Sequence, residues 1–297
     1  MTASGSGLDA FLFSPLEARA TAWFRILFAS AIPAFFRSTN LSVPSWASGD
    51  AAWLYDNLFL TTEYMALIAA MCVVLAIGWK PRVVALILVV MLLPLDFLDT
   101  GRPSRQVILF ALLCFSFVRS DTIRFPWSAN NDSAAQDAGP AWPIRLIQLQ
   151  LTVLYLVNAI AKSNPQYLRG DALMDMSVEL PNFQVDLSAG ALQLGALALP
   201  IAAAAAASAM MEYFLAAAFW MRRLRWVAAI SGIVFHFVLT RIVKIHMLDY
   251  AAIFLYLAFL LPLIRPARSA PDRSSPQLSG RRQGLPTPRA ASPATQP

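Results

Sequence analysis

Apolar residues run along this chain in long blocks, and the polar positions gather at the breaks between them. Segments such as LIAAMCVVLAIGW (67–79) and VVALILVVMLL (83–93) are apolar on every side, so the short alternating segments of a β-barrel do not describe them. Blocks of membrane-spanning length, roughly 17–25 residues, are predicted as helices at 20–37, 60–79, 82–98, 104–118, 142–162, 192–220, 226–243 and 247–264. The pattern predicts an all-α fold, a polytopic transmembrane helical bundle of about eight membrane helices. One block is ambiguous: 192–220 is long enough for one tilted helix or for a re-entrant pair, and the second choice would invert everything after it.

Composition agrees with the blocks. The 297 residues are 58% hydrophobic and only 13% charged, against about 25% charged in an ordinary soluble domain. Residues 1–19 read as an N-terminal cytoplasmic segment and 20–264 as the transmembrane domain. Residues 265–297 read as a disordered, basic, Pro/Ser-rich tail that cannot bury a core. The opening MTASGSGLDAFLFSPLEAR has no basic stretch before a short apolar core and no small-residue cleavage site, so no cleaved signal peptide is expected. Cys72 and Cys114 fall inside predicted helices without paired spacing and read as buried thiols.

Charge sets the orientation. One set of alternate loops and termini carries Arg19, Lys80, Arg82, Arg119, Arg124, Arg145, Arg222, Arg223, Arg225 and six tail arginines; the other carries Arg37, Arg102, Arg105, Lys162, Arg169, Arg241 and Lys244. Cytoplasmic loops hold the basic excess, so both termini are expected in the cytoplasm and Lys162 on the opposite side. Asp96, Asp99, Arg102 and Arg105 read as solvated loop charges, and Trp46, Trp53 and Tyr55 as an interfacial aromatic belt.

Polar residues inside the predicted helices are fewer and more informative. Arg145, Gln148, Thr152, Tyr155, Asn158 and Lys162 recur at steps of three and four, which lays them along one face of the fifth helix. Such a stripe belongs against the bundle interior or a watered cavity, because lipid offers no hydrogen-bond partner. Lys162 is then either the outer end of an internal polar track or a side chain that snorkels to the interface. Glu212 stands alone in AMMEYFLAAAFW and Arg25 in AWFRILFASAI; an Arg25–Glu212 pair, or a contact between Glu212 and His236, would neutralise the buried charge. His236, in GIVFHFVLTRI, reads either as a satisfied packing histidine or as an acid/base group. Glycine-rich phosphate loops, HExxH, paired CxxC and GxSxG are missing, so nothing points to a metal site. No aromatic-basic surface suggests nucleic acid, and the basic tail fits contact with the lipid bilayer.

The stretch RLIQLQLTVLYLVNAIAKSNPQYLRGDAL (145–173), with Gln148, Tyr155, Lys162, Tyr167 and Gly170, resembles the HTTM family, the bacterial relatives of the membrane domain of vitamin K-dependent γ-glutamyl carboxylase. SPLEARATAWFRILFASAI (14–32) and EYFLAAAFWMRRLRWVAAISGIVFHF (212–237) are similar to further family stretches, in the expected order. The resemblance implies an inner-membrane, multi-pass protein with Lys162 as general base toward a lipid-soluble hydroquinone. It also implies a pocket of Gln148, Thr152, Tyr155, Asn158, Tyr167 and Gly170, with Arg25, Glu212 and His236 as supporting groups. The carboxylase's large peptide-binding region, the histidine before its fourth helix and its second lysine have no counterparts here, so carboxylation of protein glutamate is not expected. The other function implied is an accessory protein that works with a peptide or partner membrane protein in the maturation or export of a secreted peptide. A transporter fits least, since no symmetry-related pair of broken helices is visible.

Overall fold

The computed structural model describes residues 7–37, 49–96, 103–121, 125–127, 137–179, 191–194, 197–242 and 253–261, all in one unit that ends at Pro266. Helices α1 (Gly7–Phe13), α2 (Ala18–Arg37), α3 (Asp50–Leu54), α4 (Thr62–Ile77), α5 (Pro81–Asp96) and α6 (Pro103–Phe115) form the first half. The second half holds α7 (Trp142–Lys162), α8 (Pro165–Arg169), α9 (Asp171–Glu179), α10 (Ile201–Ala218), α11 (Arg225–Ile242) and α12 (Leu257–Leu260). Two short antiparallel pairs accompany them: β1 (Pro15–Glu17) with β2 (Asp137–Pro140), and β3 (Ala191–Leu194) with β4 (Leu197–Pro200). Both pairs are too small to change the all-α class.

Among the described residues, α7, α10 and α11 are long and apolar enough to cross a membrane. A fourth span exists if α3, its following π-helical turn Tyr55–Phe59 and α4 count together, bent by 55°. Helix α5, at 16 residues, reaches about 24 Å at 1.5 Å per residue, short of a hydrocarbon core of about 30 Å. The outward faces make the solvent plain. On α7, Leu149, Val153, Leu156, Val157 and Ile160 are exposed while Ile147, Gln148, Leu151 and Tyr155 are buried. On α11, Trp226, Ile230, Val234 and Phe237 point outward as well. Apolar patches of that extent on a soluble surface would drive association, whereas in lipid they are what a spanning helix presents.

Several expectations change. The block 192–220 is neither one long helix nor two: its helix begins only at Ile201, because Pro200 is extended (φ −52°, ψ 137°) and a residue preceding proline is steered from helical geometry. The chain before it folds into the β3–β4 hairpin. Within the polyalanine run 202–207 Ala205 is buried, as is Ala209 one turn on, where α10 lies on α7 and α8, and small side chains there let helices approach closely; Ala202, Ala203 and Ala207 are exposed. The block 247–264 is described only over 253–261, with α12 at its centre.

Arg105 is not a solvated loop charge. It is 2% exposed and donates to the Leu95 carbonyl at 2.6 Å, tying α6 to the end of α5. Tyr55 leaves the aromatic belt too: it is buried, with its hydroxyl 3.3 Å from the Pro94 carbonyl, while Trp53 stays exposed. Trp46, Asp99 and Arg102 lie outside the described residues.

The turn after α7 fixes the next element. Asn164 caps α8, its Oδ1 accepting from the Tyr167 amide at 2.8 Å, and Pro165 supplies the first helical residue. Gly170 ends α8 at φ 90°, and a Cβ there would also strike Ile201 at the start of α10. Replacing Gly170 by Ala is therefore expected to cost about 1–2 kcal/mol for the left-handed conformation alone, read as a lower thermal midpoint of the purified protein in detergent. An unchanged midpoint would mean that α8 does not seat on α10 in this way.

Candidate functional site

The polar stripe of α7 faces α10, α11 and α12, and it is satisfied in three layers. At the inner layer Gln148, buried, donates through Nε2 to the Ala258 carbonyl at 2.7 Å and accepts from Arg145 at 3.0 Å. One turn on, the Thr152 hydroxyl donates to the Gln148 carbonyl at 3.0 Å and accepts from the Trp220 indole at 2.8 Å. These bonds fasten α7 to the end of α10 and to α12. Gln150, on another face, reaches the Val107 carbonyl of α6 at 3.2 Å.

The middle layer is a buried hydroxyl–imidazole cluster. The Tyr155 hydroxyl lies 2.8 Å from His236 Nε2 and hydrogen-bonds the Tyr256 hydroxyl on its other side. Which ring nitrogen of His236 carries the proton decides the direction of that first bond. All three side chains are at most 3% exposed. Gly232, one turn before His236 on α11, makes room for Tyr256, whose ring and hydroxyl occupy the space a Cβ would need.

The outer layer centres on Lys162. Its Nζ is 2.8 Å from Glu212 Oε1 and 3.2 Å from Ser208 Oγ, both on α10. Tyr167, brought back over the site by α8, donates its hydroxyl to Ser208 at 3.4 Å and sets its ring centroid 5.8 Å from Nζ. Beside it, Ser163 bonds the Tyr213 hydroxyl at 3.0 Å. Burial is unequal across the ion pair: the Lys162 side chain is 23% exposed, the Glu212 side chain 4%. Glu212 Oε2 is buried with no hydrogen-bond partner among the described residues, and His236 lies within electrostatic range of the carboxylate. The side chain of Asn158, half-buried between the middle and outer layers, makes no hydrogen bond among the described residues.

One expectation about these residues is corrected. Glu212 pairs with Lys162, not with Arg25, because the α10 face that carries Glu212 packs on α7 while α2 packs on α4. Arg25 is wholly buried elsewhere: it donates to the Ala76 carbonyl at 3.3 Å and to the Ser120 carbonyl, capping the end of α4. Gly78, left-handed at φ 83°, leaves space there that the guanidinium fills. Ser208 and Tyr256 were not anticipated. Ser208 sits one helical turn before Glu212, a spacing that could have flagged it; Tyr256 carries no such signal, since only tertiary packing brings α12 to Tyr155.

Chemically, the outer layer offers a cation, a buried carboxylate oxygen, two hydroxyls and an aromatic ring at the end of a membrane helix. Among the described residues no three metal-ligating side chains converge. The fold and this seam define a helical membrane protein organised around one polar helix face. The HTTM domain model matches residues 51–262, most of the chain, and the protein belongs to the HTTM family. That match begins after α2, so Arg25 lies outside it. No curated protein and no solved structure matches the chain.

Removing the Tyr155 hydroxyl tests the middle layer. Tyr155→Phe leaves His236 and Tyr256 each short of a buried partner, an expected loss of about 1–3 kcal/mol, measured as reduced thermal or denaturant stability with helix content retained. A variant as stable as the parent would break the cluster as described.

Proposed function

We propose that this HTTM protein spans the inner membrane of the cell about eight times with both termini in the cytoplasm, and that its working site is the non-cytoplasmic end of the α7 seam. There Lys162 serves as general base toward the acidic hydroxyl of a lipid-soluble hydroquinone. Support comes from the unequal burial of the Lys162–Glu212 pair, in which the Lys162 side chain is partly exposed and that of Glu212 is nearly buried. A base must hold an open lone pair when its substrate arrives. The 2.8 Å bond to Glu212 gives the ammonium proton somewhere to go, leaving Nζ to accept the next one. Tyr167 offers a planar ring beside the amine, and Asn158 an amide with free hydrogen-bonding capacity. The residues therefore fit a planar ligand with an ionisable hydroxyl, entering sideways from the bilayer.

One observation favours a second reading. The Lys162 ammonium is already satisfied by a carboxylate and a hydroxyl, as a structural tie between α7 and α10 would be. In that case the protein is an accessory factor acting with a partner membrane protein in maturation or export of a secreted peptide, and its function depends on that partner.

Native mass spectrometry of the detergent-purified chain, wild type beside Lys162→Met, separates the two. The enzyme reading expects a co-purifying quinone-class lipid that the variant loses. A protein without such a lipid, or one whose lipid is indifferent to the substitution, contradicts the base role and leaves the accessory reading.

A further inference from the structure

A second cluster of charge lies at the other end of the α7 seam, where α7 and α11 begin and α10 ends. Arg145, in the first turn of α7, sets its guanidinium 4.1 Å from the Phe11 ring centroid and 5.9 Å from that of Trp220. It donates to the Phe11 carbonyl at 3.4 Å and to Gln148 at 3.0 Å. Arg225, the first residue of α11, comes to the same corner and donates to the carbonyls of Phe219 at 3.1 Å and Phe259 at 3.5 Å. Arg222, exposed in the turn between α10 and α11, acts electrostatically on Arg225, which acts in turn on Arg145.

Arg225 stands within repelling reach of both Arg222 and Arg145, and among the described residues none of the three forms an ion pair with a carboxylate. A guanidinium has five donors, and acceptors among the described residues use no more than two on each. The N-terminus of α7, which no side chain caps, adds positive partial charge. Around the cluster the surface turns apolar, with Phe13, Met221 and Trp226 exposed. Basic donors ringed by exposed apolar side chains are the chemistry of a lipid headgroup with its chains alongside.

The geometry points to a binding site for the phosphate of an anionic phospholipid at the corner formed by Arg145, Arg222 and Arg225. The phosphate oxygens take the spare guanidinium donors, and the acyl chains lie along the apolar rim. Free inorganic phosphate offers the same oxygens, but only a lipid answers the rim. The site does not depend on the Lys162 chemistry, and the orientation proposed above puts it at the cytoplasmic leaflet.

The test is native mass spectrometry of the full chain in detergent with phosphatidylglycerol, phosphatidylcholine or inorganic phosphate added. The wild type is expected to retain phosphatidylglycerol over phosphatidylcholine. At roughly 1 kcal/mol per arginine, retention falls about fivefold in Arg222→Gln and about thirtyfold in Arg145→Gln/Arg225→Gln. Arg241→Gln, at the far end of α11, is expected to change nothing. Arg222 is an exposed turn residue, so its variant keeps the test open if the double variant does not fold. Equal retention of the two lipids, or phosphatidylglycerol retention unmoved in Arg222→Gln, overturns the site. Displacement of the lipid by millimolar inorganic phosphate overturns the lipid assignment in favour of free phosphate.

Discussion

Lipid offers no hydrogen bonds, and the arrangement of this protein's second half follows from that. A helix carrying six polar side chains along one face must turn that face inward, and α7 does so by drawing α10, α11 and α12 against it. Each layer of the seam fastens a different partner: Gln148 reaches α12, Tyr155 joins α11 to the segment preceding α12, and Lys162 holds α10. The opposite face of α7 is left apolar for the bilayer. The polar stripe is thus both the organiser of the bundle and the place where chemistry is available.

The ion pair at the outer end carries the most weight. A buried carboxylate without a partner is strongly unfavourable, and Glu212 lies in an alanine-rich helix that carries no cation of its own. Lys162 answers one oxygen; the other has no hydrogen bond among the described residues. A site that leaves such an atom unsatisfied keeps capacity for a proton or a ligand donor, which a purely structural tie would not need. That asymmetry supports the proposal that the working end of the seam is at Lys162.

Much of this was legible in the chain. Helix α7 runs from Trp142 to Lys162, the limits its apolar block gives, and its polar side chains turn inward as their three- and four-residue steps require. Partners between helices were less legible. For Glu212 the chain suggested Arg25 or His236 and not Lys162; periodicity within one helix says nothing about which other helix will face it, and packing of α10 on α7 brings it to Lys162. Arg105 and Tyr55 look like interfacial residues from their neighbours, yet each is drawn inward by a backbone carbonyl near the end of α5. The hairpin before α10 was hidden by its apolar composition, which a buried strand and a membrane helix share.

The contact between Lys162 and Glu212 is the point on which the account turns, and a double-mutant cycle measures it directly. Thermal or denaturant stability of Lys162→Met, Glu212→Gln and the combined variant in one detergent gives a coupling free energy. Contact between a nearly buried carboxylate and a partly exposed amine predicts a coupling of roughly 1–2 kcal/mol, with the double variant more stable than Lys162→Met alone. Strictly additive effects of the two substitutions would show that the two side chains do not meet, and the seam would lose its outer layer.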